Sequence, residues 1–511
     1  MKSRTVGVPL YMEKSITEQF CKDILHLNLP RRRALANMVM GLCSAPDATS
    51  VVSVSESRHF HYTHSNIGKV VEDLSGGSAG LSGATTEIQS LLFRHVPPPR
   101  LSGSLSYYVL QTDVTKVVKP HSNTLEGRQY VPIANQKVPG NKAIDIGCRI
   151  SVTHLHAGPG WPLPLEATLL GVEDDAIEVA VAQAKSLLAD ERLPLSGHLC
   201  VQEADSSYGQ AAFLSPLHAL GNLVCIVRMR AGMRVWLAAE QGGSGGAPRI
   251  YGEKYYLNER TRSKSYSQSP SPKHPNGIDT MVEQRSIMDL APDDEQEREL
   301  TLSNGRRVRL GLRRWNNVMI RSKKGHNMKD KPFDLVRAQM HDLDTAEPIF
   351  DRPLFIGVSG QRKAETTTPF IQERYRERYD VEPYYHFLKF KLLLQGFQTA
   401  IRGHLQNYLL VTGMATWLLF LSRNEATIQY KPWQKQLPKN KEAEAKEKPS
   451  LSIAQARMAA ANLFDTFDPT PFLPPYYKKG KGRLKGTKLV KRPAQPVLKK
   501  TKKPPKTVIR V

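Results

Sequence analysis

Runs of consecutive apolar residues in the first half of the chain predict a series of buried β-strands. The first run covers residues 107–110 and leads into Asp113. Adjacent apolar side chains of this kind are typical of a strand that is covered on both faces. Further strands are predicted over residues 143–156, 161–172, 197–205 and 222–230. Between the third and fourth strands, apolar positions with helical spacing predict a helix over residues 174–193.

Two acidic residues stand where predicted strands end. Asp113 ends the first strand, and Asp205 ends the fourth and is followed by small polar residues. Such a carboxylate can bind a ligand, but a turn residue that terminates a strand is a common alternative role for Asp. Glu203 lies two residues before Asp205, on the same face of the strand, and is an alternative ligand.

A second pattern lies in the last third of the chain, where four polar residues are spaced as Y-x2-R-x3-E-x6-K. They are Tyr375, Arg378, Glu382 and Lys389. In an α-helix, at roughly 100° per residue, they fall within an arc of about 60°, with the acids at 373, 377 and 380 on roughly the opposite side. One carboxylate among two cations and a phenol suits a site that holds a divalent metal beside a phosphodiester. The alternative is a solvated charged stripe, and Pro383 is expected to kink this helix.

The flanking regions differ in pattern from this α/β part. Residues 1–100 are predicted to be mainly helical, either as a small DNA-binding region or as a bundle that braces the core. Residues 239–352 show alternation typical of strands and are strongly basic around Trp315. Trp315, with Arg313 and Arg314, is predicted to stack an unpaired base and hold its backbone; an ordinary core tryptophan is the alternative. The apolar residues 408–422 are too few to span a bilayer and predict a buried helix behind the sheet.

Composition and charge favour a polyanionic partner. The chain has 511 residues and a formal net charge of +24, and residues 478–511 contain 14 Lys and Arg and no acid. Because Gly and Pro interrupt this segment, residues 436–511 are predicted to be a disordered basic C-terminal tail. The five cysteines form no CxxC pair and are predicted to be reduced, buried thiols of a cytoplasmic protein.

The Tyr375-Arg378-Glu382-Lys389 spacing resembles the signature of bacterial insertion-sequence transposases of the DDE type, in the group with a Tyr-Arg-Glu-Lys helix. The order β-β-β-α-β-α-β resembles the RNase H-like core of those enzymes. The resemblance implies a mixed sheet flanked by helices, divided into residues 101–238 and 353–435 by a β-rich insertion at 239–352. It also implies that the two strands that end in Asp113 and Asp205 are neighbours.

The resemblance further implies the roles of the site residues. Asp113, Asp205 and Glu382 would be the catalytic acids and would bind two Mg²⁺ ions, with Mn²⁺ possible because the ligands are carboxylate oxygens. Arg378 and Lys389 would hold the phosphates that flank the scissile bond, with a hydrogen bond from Tyr375.

The expected partners are double-stranded element ends and target DNA, with no membrane, and a homodimer in the DNA-bound synaptic complex. A bacterial, nucleoid-associated enzyme is the corresponding expectation for location. Two other functions stay open: a non-catalytic basic nucleic-acid-binding protein, and an RNase H-like nuclease that cleaves without strand transfer.

Overall fold

We describe the fold from a computed structural model of the chain. The residues that the structure describes are 15–76, 80–133, 143–239, 250–257, 262–268, 278–302, 304–321, 325–428, 450–468, 486 and 492–500. All candidate site residues lie within these ranges. The Gly/Ser-rich segment at 242–246, Lys323 and Lys324, and most of the basic segment 478–511 lie outside the described residues.

A large mixed sheet forms the centre of the fold. Its first strands are β1 (Arg100–Ser102), β2 (Leu105–Val118), β3 (Gln129–Pro132), β4 (Ile144–His156), β5 (Pro162–Leu170), β6 (Leu199–Ala204) and β7 (Leu223–Met229). Strand β2 pairs antiparallel with β4 and parallel with β6, and β6 pairs parallel with β7. Strand β5 pairs with β4, so the order across the sheet is β5-β4-β2-β6-β7. This is the RNase H-like arrangement, and the fold class expected from the sequence is confirmed.

The strands that follow β7 continue this sheet. They are β8 (Arg234–Ala238), β9 (Tyr251–Tyr256), β10 (Arg262–Gln268), β11 (Ile278–Gln284), β12 (Asp294–Thr301), β13 (Arg307–Val318), β14 (Phe333–Asp342) and β15 (Leu354–Ser359), of which β9 to β14 lie in the predicted insertion. Strand β15 pairs with β7, and β14, β13 and β12 follow in turn, all antiparallel. Strands β8 with β9 and β10 with β11 form two separate hairpins.

Helices cover both faces of the sheet. They are α1 (Ile16–His26), α2 (Arg32–Ser44), α3 (Ser65–Gly76), α4 (Gly80–Phe93), α5 (Ala176–Ala189), α6 (Ala211–Leu217), α7 (Thr368–Glu377), α8 (Val381–His386), α9 (Arg402–Ser422) and α10 (Ile453–Phe464). Tyr107 and Val109 of β2 pack with Phe370 and Ile371 of α7. Strand alternation places Tyr108 on the opposite face, which α5 covers.

The apolar helix predicted at residues 408–422 is the C-terminal part of α9, which packs against β5 and α2. Helix α9 is long and apolar enough to cross a membrane, but 89% of its most apolar window is buried inside the protein. A helix that is hydrophobic all round is expected in such an internal position. Helices α1, α2, α3 and α4 also contact α9, so the N-terminal helices pack onto the core.

The C-terminal region departs from the predicted disordered tail at two places. Helix α10 packs on α2 and α9, and Arg457 within it is only 3% exposed. The Arg457 guanidinium donates hydrogen bonds to the carbonyls of Leu42, Ala45 and Pro46 at the end of α2. Residues 492–500 run alongside β3, where Leu498 bridges to Gln129. The prediction of a uniformly disordered tail is therefore wrong for these segments, because apolar and guanidinium contacts hold them on the core.

Candidate active site

Asp113 lies within the central strand β2, which continues to Val118, so the prediction that Asp113 ends this strand is wrong: pairing with β4 extends the strand beyond it. Asp205 directly follows the neighbouring strand β6, as predicted. The last parallel pair between the two strands is Thr112 with Ala204, so each acid stands one residue beyond it. Parallel neighbours deliver their carboxyl ends to the same edge of a sheet. The expectation that these two strands are adjacent is met in the structure.

Local hydrogen bonds fix both carboxylates. The backbone N–H of Val114 donates to Asp113 Oδ1 at 2.7 Å. The backbone N–H and hydroxyl of Ser207 donate to Asp205 Oδ1 at 2.8 and 2.5 Å. The turn after Asp205 passes close to β7, where a Cβ on Gly209 would lie 2.5 Å from the carbonyl oxygen of Arg228. Glycine is therefore required there, and it keeps the turn against the sheet.

The predicted continuous helix around Glu382 is divided into several pieces. Helix α7 ends at Glu377, a 3₁₀ turn covers Arg378–Asp380, α8 follows, and a π turn covers Phe387–Lys391. Pro383 is the third residue of α8, and its ring cannot donate the backbone hydrogen bond of a regular helix. The kink expected from Pro383 corresponds to this break in the helix.

Arg378 connects the acids despite the broken helix. Its Nη1 lies 3.6 Å from Asp113 Oδ2, and its Nη2 lies 3.8 Å from Glu382 Oε1. Burial lowers the pKa of Arg378, but Tyr375, Asp113 and Asp205 outweigh this effect and raise it. The Arg378 guanidinium therefore stays charged among three acidic side chains of β2, β6 and α8.

The surroundings of Asp113 disfavour its charged form. Burial raises its pKa to about 6; Arg378 opposes the rise, and nearby Asp205 and Glu382 add to it. The effect of these two acids on Asp113 shows that all three share one region. Each of the two acids raises the free-energy cost of ionising Asp113. A bound cation would remove that cost.

The donor set fits a hard divalent cation, although the acids do not surround a common point as they stand. In the part of the chain that the structure describes, no group of three His, Cys, Asp or Glu is arranged to hold a metal ion. Arg378 instead lies within ion-pair distance of Asp113 and Glu382. The Glu382 side chain is 56% exposed and on a short helix, so it can turn toward Asp113 without disturbing the core. Carboxylate oxygens are the ligands that Mg²⁺ and Mn²⁺ prefer.

Tyr375 and Lys389 lie beside the same centre. Tyr375 is 8% exposed; burial raises its pKa, and the nearby charge of Arg378 opposes that rise. The Lys389 ammonium lies over the Tyr385 ring, 5.9 Å from its centroid. Burial and then Lys116 lower the pKa of Lys389, against the attraction of Asp113. Although the helix is broken, all four residues of the predicted stripe therefore belong to one neighbourhood.

The opposite side of this broken helix anchors it to the sheet, a role that was not predicted. His156, at the end of β4, donates from Nε2 to Asp380 Oδ2 at 2.9 Å, and its Nδ1 lies 3.2 Å from Glu377 Oε2. Arg100 forms a bidentate pair with Glu377 at 2.6 and 3.0 Å. The backbone N–H of Gly160 donates to Asp380 as well, at 2.7 Å. These bonds enclose the 3₁₀ turn that carries Arg378.

The charges of this anchor follow from burial and pairing. Burial lowers the pKa of His156, but the hydrogen bonds to Asp380 and Glu377 outweigh it and raise the pKa. Burial favours the neutral form of Glu377, but His156 and Arg100 lower its pKa to about 2. The contacts join residues that are distant along the chain, so helical spacing could not predict them.

Glu203, the alternative ligand, is fully buried next to this anchor. Its Oε2 accepts a hydrogen bond from Gln111 at 2.9 Å. Burial raises the pKa of Glu203 to about 8, with the Gln111 hydrogen bond opposing the rise. A buried acid that favours its protonated form is a poor metal ligand, so Asp205 is the better candidate.

The three predicted DNA contacts of the insertion occupy different environments. Trp315 is 1% exposed and its Nε1 donates to the carbonyl of Leu290 at 3.0 Å. Arg314 is buried, pairs with Asp334 and donates to the carbonyl of Thr366 at 2.7 Å. The structure therefore corrects the expectation that these two side chains are available to DNA, because both are used in packing. Arg313 is on the surface and pairs with Glu295 at 2.6 Å.

Comparison with known proteins supports the class that fold and site suggest. Residues 25–274, just under half of the chain, match the family model described as DDE superfamily endonuclease. This stretch includes Asp113 and Asp205 but ends before Glu382. No curated protein matches the sequence. Residues 25–274 are therefore similar to DDE superfamily endonucleases.

Proposed function

We propose that this protein is a DNA transposase of the Tyr-Arg-Glu-Lys group that cuts and joins the ends of an insertion sequence. The observation that carries the proposal is that Asp113 and Asp205 each stand one residue beyond the last parallel pair of the adjacent strands β2 and β6, with Arg378 between Asp113 and Glu382. A basic binding protein would not need this arrangement of carboxylates. The match to DDE endonucleases supports the same class of chemistry.

In this proposal, Asp113, Asp205 and Glu382 hold two divalent ions, Mg²⁺ or Mn²⁺. When bound, such ions generate the attacking nucleophile and stabilise the leaving oxygen of an in-line displacement. The Arg378 guanidinium would exchange its contacts with Asp113 and Glu382 for contacts with a phosphate oxygen of the DNA. A guanidinium pairs as well with phosphate as with carboxylate. Lys389 would hold a neighbouring phosphate as a point charge, and the Tyr375 hydroxyl would donate to one of its oxygens.

The anchor formed by Arg100, His156, Glu377 and Asp380 would fix the position of the 3₁₀ turn during this exchange. Only the Glu382 and Arg378 side chains then need to move. Cleavage would free a 3′-hydroxyl at the element end, which would attack target DNA in a second displacement at the same site. Two ends are joined in one event, so the DNA-bound form would contain at least two protomers.

Purified full-length protein, Mg²⁺ and duplexes carrying the sequences that flank its gene test the proposal. We expect 3′-end cleavage followed by transfer of that end into a second duplex, with both products absent after chelation or in Asp205→Asn. Cleavage without transfer would identify a nuclease. Binding without cleavage would contradict the enzyme assignment and identify a non-catalytic DNA-binding protein.

A further inference from the structure

The C-terminal segment at residues 492–500 is held along the edge of the central sheet. The backbone N–H of Leu498 donates to the carbonyl of Arg128 at 2.7 Å, and that of Gln495 donates to the carbonyl of Asn123 at 2.9 Å. The Arg128 guanidinium donates back to the Gln495 carbonyl at 3.1 Å. Lys499 stands over the Tyr130 ring, 5.7 Å from its centroid. The segment thus behaves as an extra edge element beside β3.

A cavity of about 620 Å³ lies between this segment and the sheet. Its basic lining comes from four separate parts of the chain, namely β2, β4, the loop after β7 and the C-terminal segment. These residues are Lys116, Arg149, Arg230, Lys499 and Lys500. We refer to this cavity with its basic lining as the basic groove.

Two acids also line the groove, and each accepts a hydrogen bond from a backbone N–H. Asp175 caps α5 by accepting from the N–H of Ile177 at 2.8 Å. Asp174 accepts from the N–H of Gly171 at 2.6 Å. Five cations line the groove against these two acids, so its net charge is positive.

The basic groove adjoins the catalytic acids. Val114 and Ser207 both line it. These are the same residues that donate hydrogen bonds to the carboxylates of Asp113 and Asp205. A polyanion in the groove would therefore lie against the backbone that positions both acids.

We propose that the basic groove binds the phosphodiester backbone of a DNA strand beside the scissile phosphate, and that the docked C-terminal segment is one of its walls. The inference deepens the proposed function, on which it rests for the identity of the strand. Cations on several elements around one cavity fit a backbone that carries a charge at every nucleotide.

Site-directed crosslinking tests this proposal without requiring cleavage. The five native cysteines are buried, and burial raises the pKa of each, so an introduced surface thiol can be labelled selectively. Lys500→Cys, carrying a photoreactive group, should crosslink a duplex with the gene's flanking sequence. The matched control is Lys185→Cys, on the exposed side of α5. We expect about a tenfold higher yield from position 500, because the groove concentrates the strand there.

Salt dependence gives a second readout. Lys116→Gln with Lys500→Gln should reduce the slope of log K against log salt by about 1.4 to 1.8, from two lost phosphate contacts. The control pair Lys185→Gln with Lys329→Gln, both exposed, should change it less. Unlabelled duplex should compete with the crosslink, whereas the same concentration of inorganic phosphate should not.

Equal crosslinking from positions 500 and 185 with DNA binding intact would contradict the proposed DNA binding in the groove, whatever the cleavage result. Competition by inorganic phosphate at that concentration would also overturn it, since the groove would then be a general anion site. Strong crosslinking from position 500 in a protein that never cleaves DNA would support DNA binding in the groove and contradict the proposed transposase activity. The two proposals can therefore fail separately.

Discussion

Nη1 of Arg378 lies 3.6 Å from Oδ2 of Asp113. Arg378 belongs to a 3₁₀ turn whose opposite side is bonded to the sheet. The arginine occupies the region where the proposed function places a metal cation. It thereby offsets part of the repulsion among the acids and lowers the pKa of Asp113 below what burial alone would produce. The relationship suggests that a guanidinium and a metal ion compete for the same carboxylates.

Arg378→Ala should separate metal binding from catalysis. Without the guanidinium, we expect Mn²⁺ to bind the DNA-free protein about tenfold more tightly, because one competing positive charge is gone. Cleavage should nevertheless fall by at least about tenfold, since a charged hydrogen-bond donor to phosphate is lost. Calorimetric titration with Mn²⁺ and a cleavage assay measure the two effects. The exposed neighbour Arg376→Ala is the control, and unchanged Mn²⁺ affinity in Arg378→Ala would contradict the competition.

Asp113→Asn should remove activity and stabilise the metal-free protein. The folded-state pKa of Asp113, about 6, exceeds the usual value of 3.8. The folded state therefore binds this proton more tightly, so the carboxyl costs stability as the pH rises above 3.8, and the cost reaches its full size above about 6. We expect a gain of about 1 to 3 kcal/mol in unfolding free energy at pH 8, and a smaller one at pH 5. Cleavage should fall about 100-fold or more through lost metal binding.

Denaturant unfolding of the metal-free protein at the two pH values checks this prediction. An equal gain at pH 5 and pH 8 would show that ionisation of Asp113 is not its source. Activity retained by Asp113→Asn would count against the proposed catalytic role.

His156→Gln should destabilise the anchor in a pH-dependent manner. Since pairing raises the pKa of His156, its contribution is fully present below the unfolded-state pKa and is lost as the pH rises through the folded-state value. We expect a loss of about 1 to 3 kcal/mol at pH 6 that shrinks toward pH 9. Melting temperatures of both proteins across this range measure the difference.

His154→Gln is the matched control for that experiment. Burial lowers the pKa of His154 to about 3, with its hydrogen bond to Gln111 opposing the fall. The ring is therefore neutral, and the effect of its substitution should not vary between pH 7 and pH 9. If the loss of melting temperature in His156→Gln stayed constant from pH 6 to pH 9, a charged His156 would be excluded.

Trp315→Leu separates a core role from base stacking. Leucine keeps an apolar side chain but cannot stack, and it loses the hydrogen bond to the Leu290 carbonyl. We expect a loss of about 2 to 4 kcal/mol in unfolding free energy, with DNA end processing per folded molecule unchanged. Processing that falls at least about tenfold in fully folded protein would instead support base stacking, since one lost stack is worth about 1 to 3 kcal/mol.

The sequence predicted the central strands because each is a short apolar run of its own. Strands β2, β4, β5, β6 and β7 and helix α5 lie where periodicity placed them. Strand β3 was not predicted, since its burial alternates over only four residues and its pairing with β4 depends on a distant segment. Helix α10 was missed because the charge of its surroundings outweighed its short apolar pattern.

In the candidate site, too, local features were predicted from the sequence and contacts between distant residues were not. The apolar runs that lead into Asp113 and Asp205 and the spacing around Glu382 are local features, so the sequence alone indicated them. That β2 continues past Asp113 depends on its pairing with β4, which the apolar run did not show. It also determined a basic chain suited to a polyanion and the buried character of α9. Only the tertiary structure decided that Arg378 stands among the acids, that His156 anchors their helix, and that Trp315 belongs to the core. It also decided that residues 492–500 close a basic groove beside the site. Those relationships join residues far apart along the chain, and burial and charge pairing in the folded state establish them.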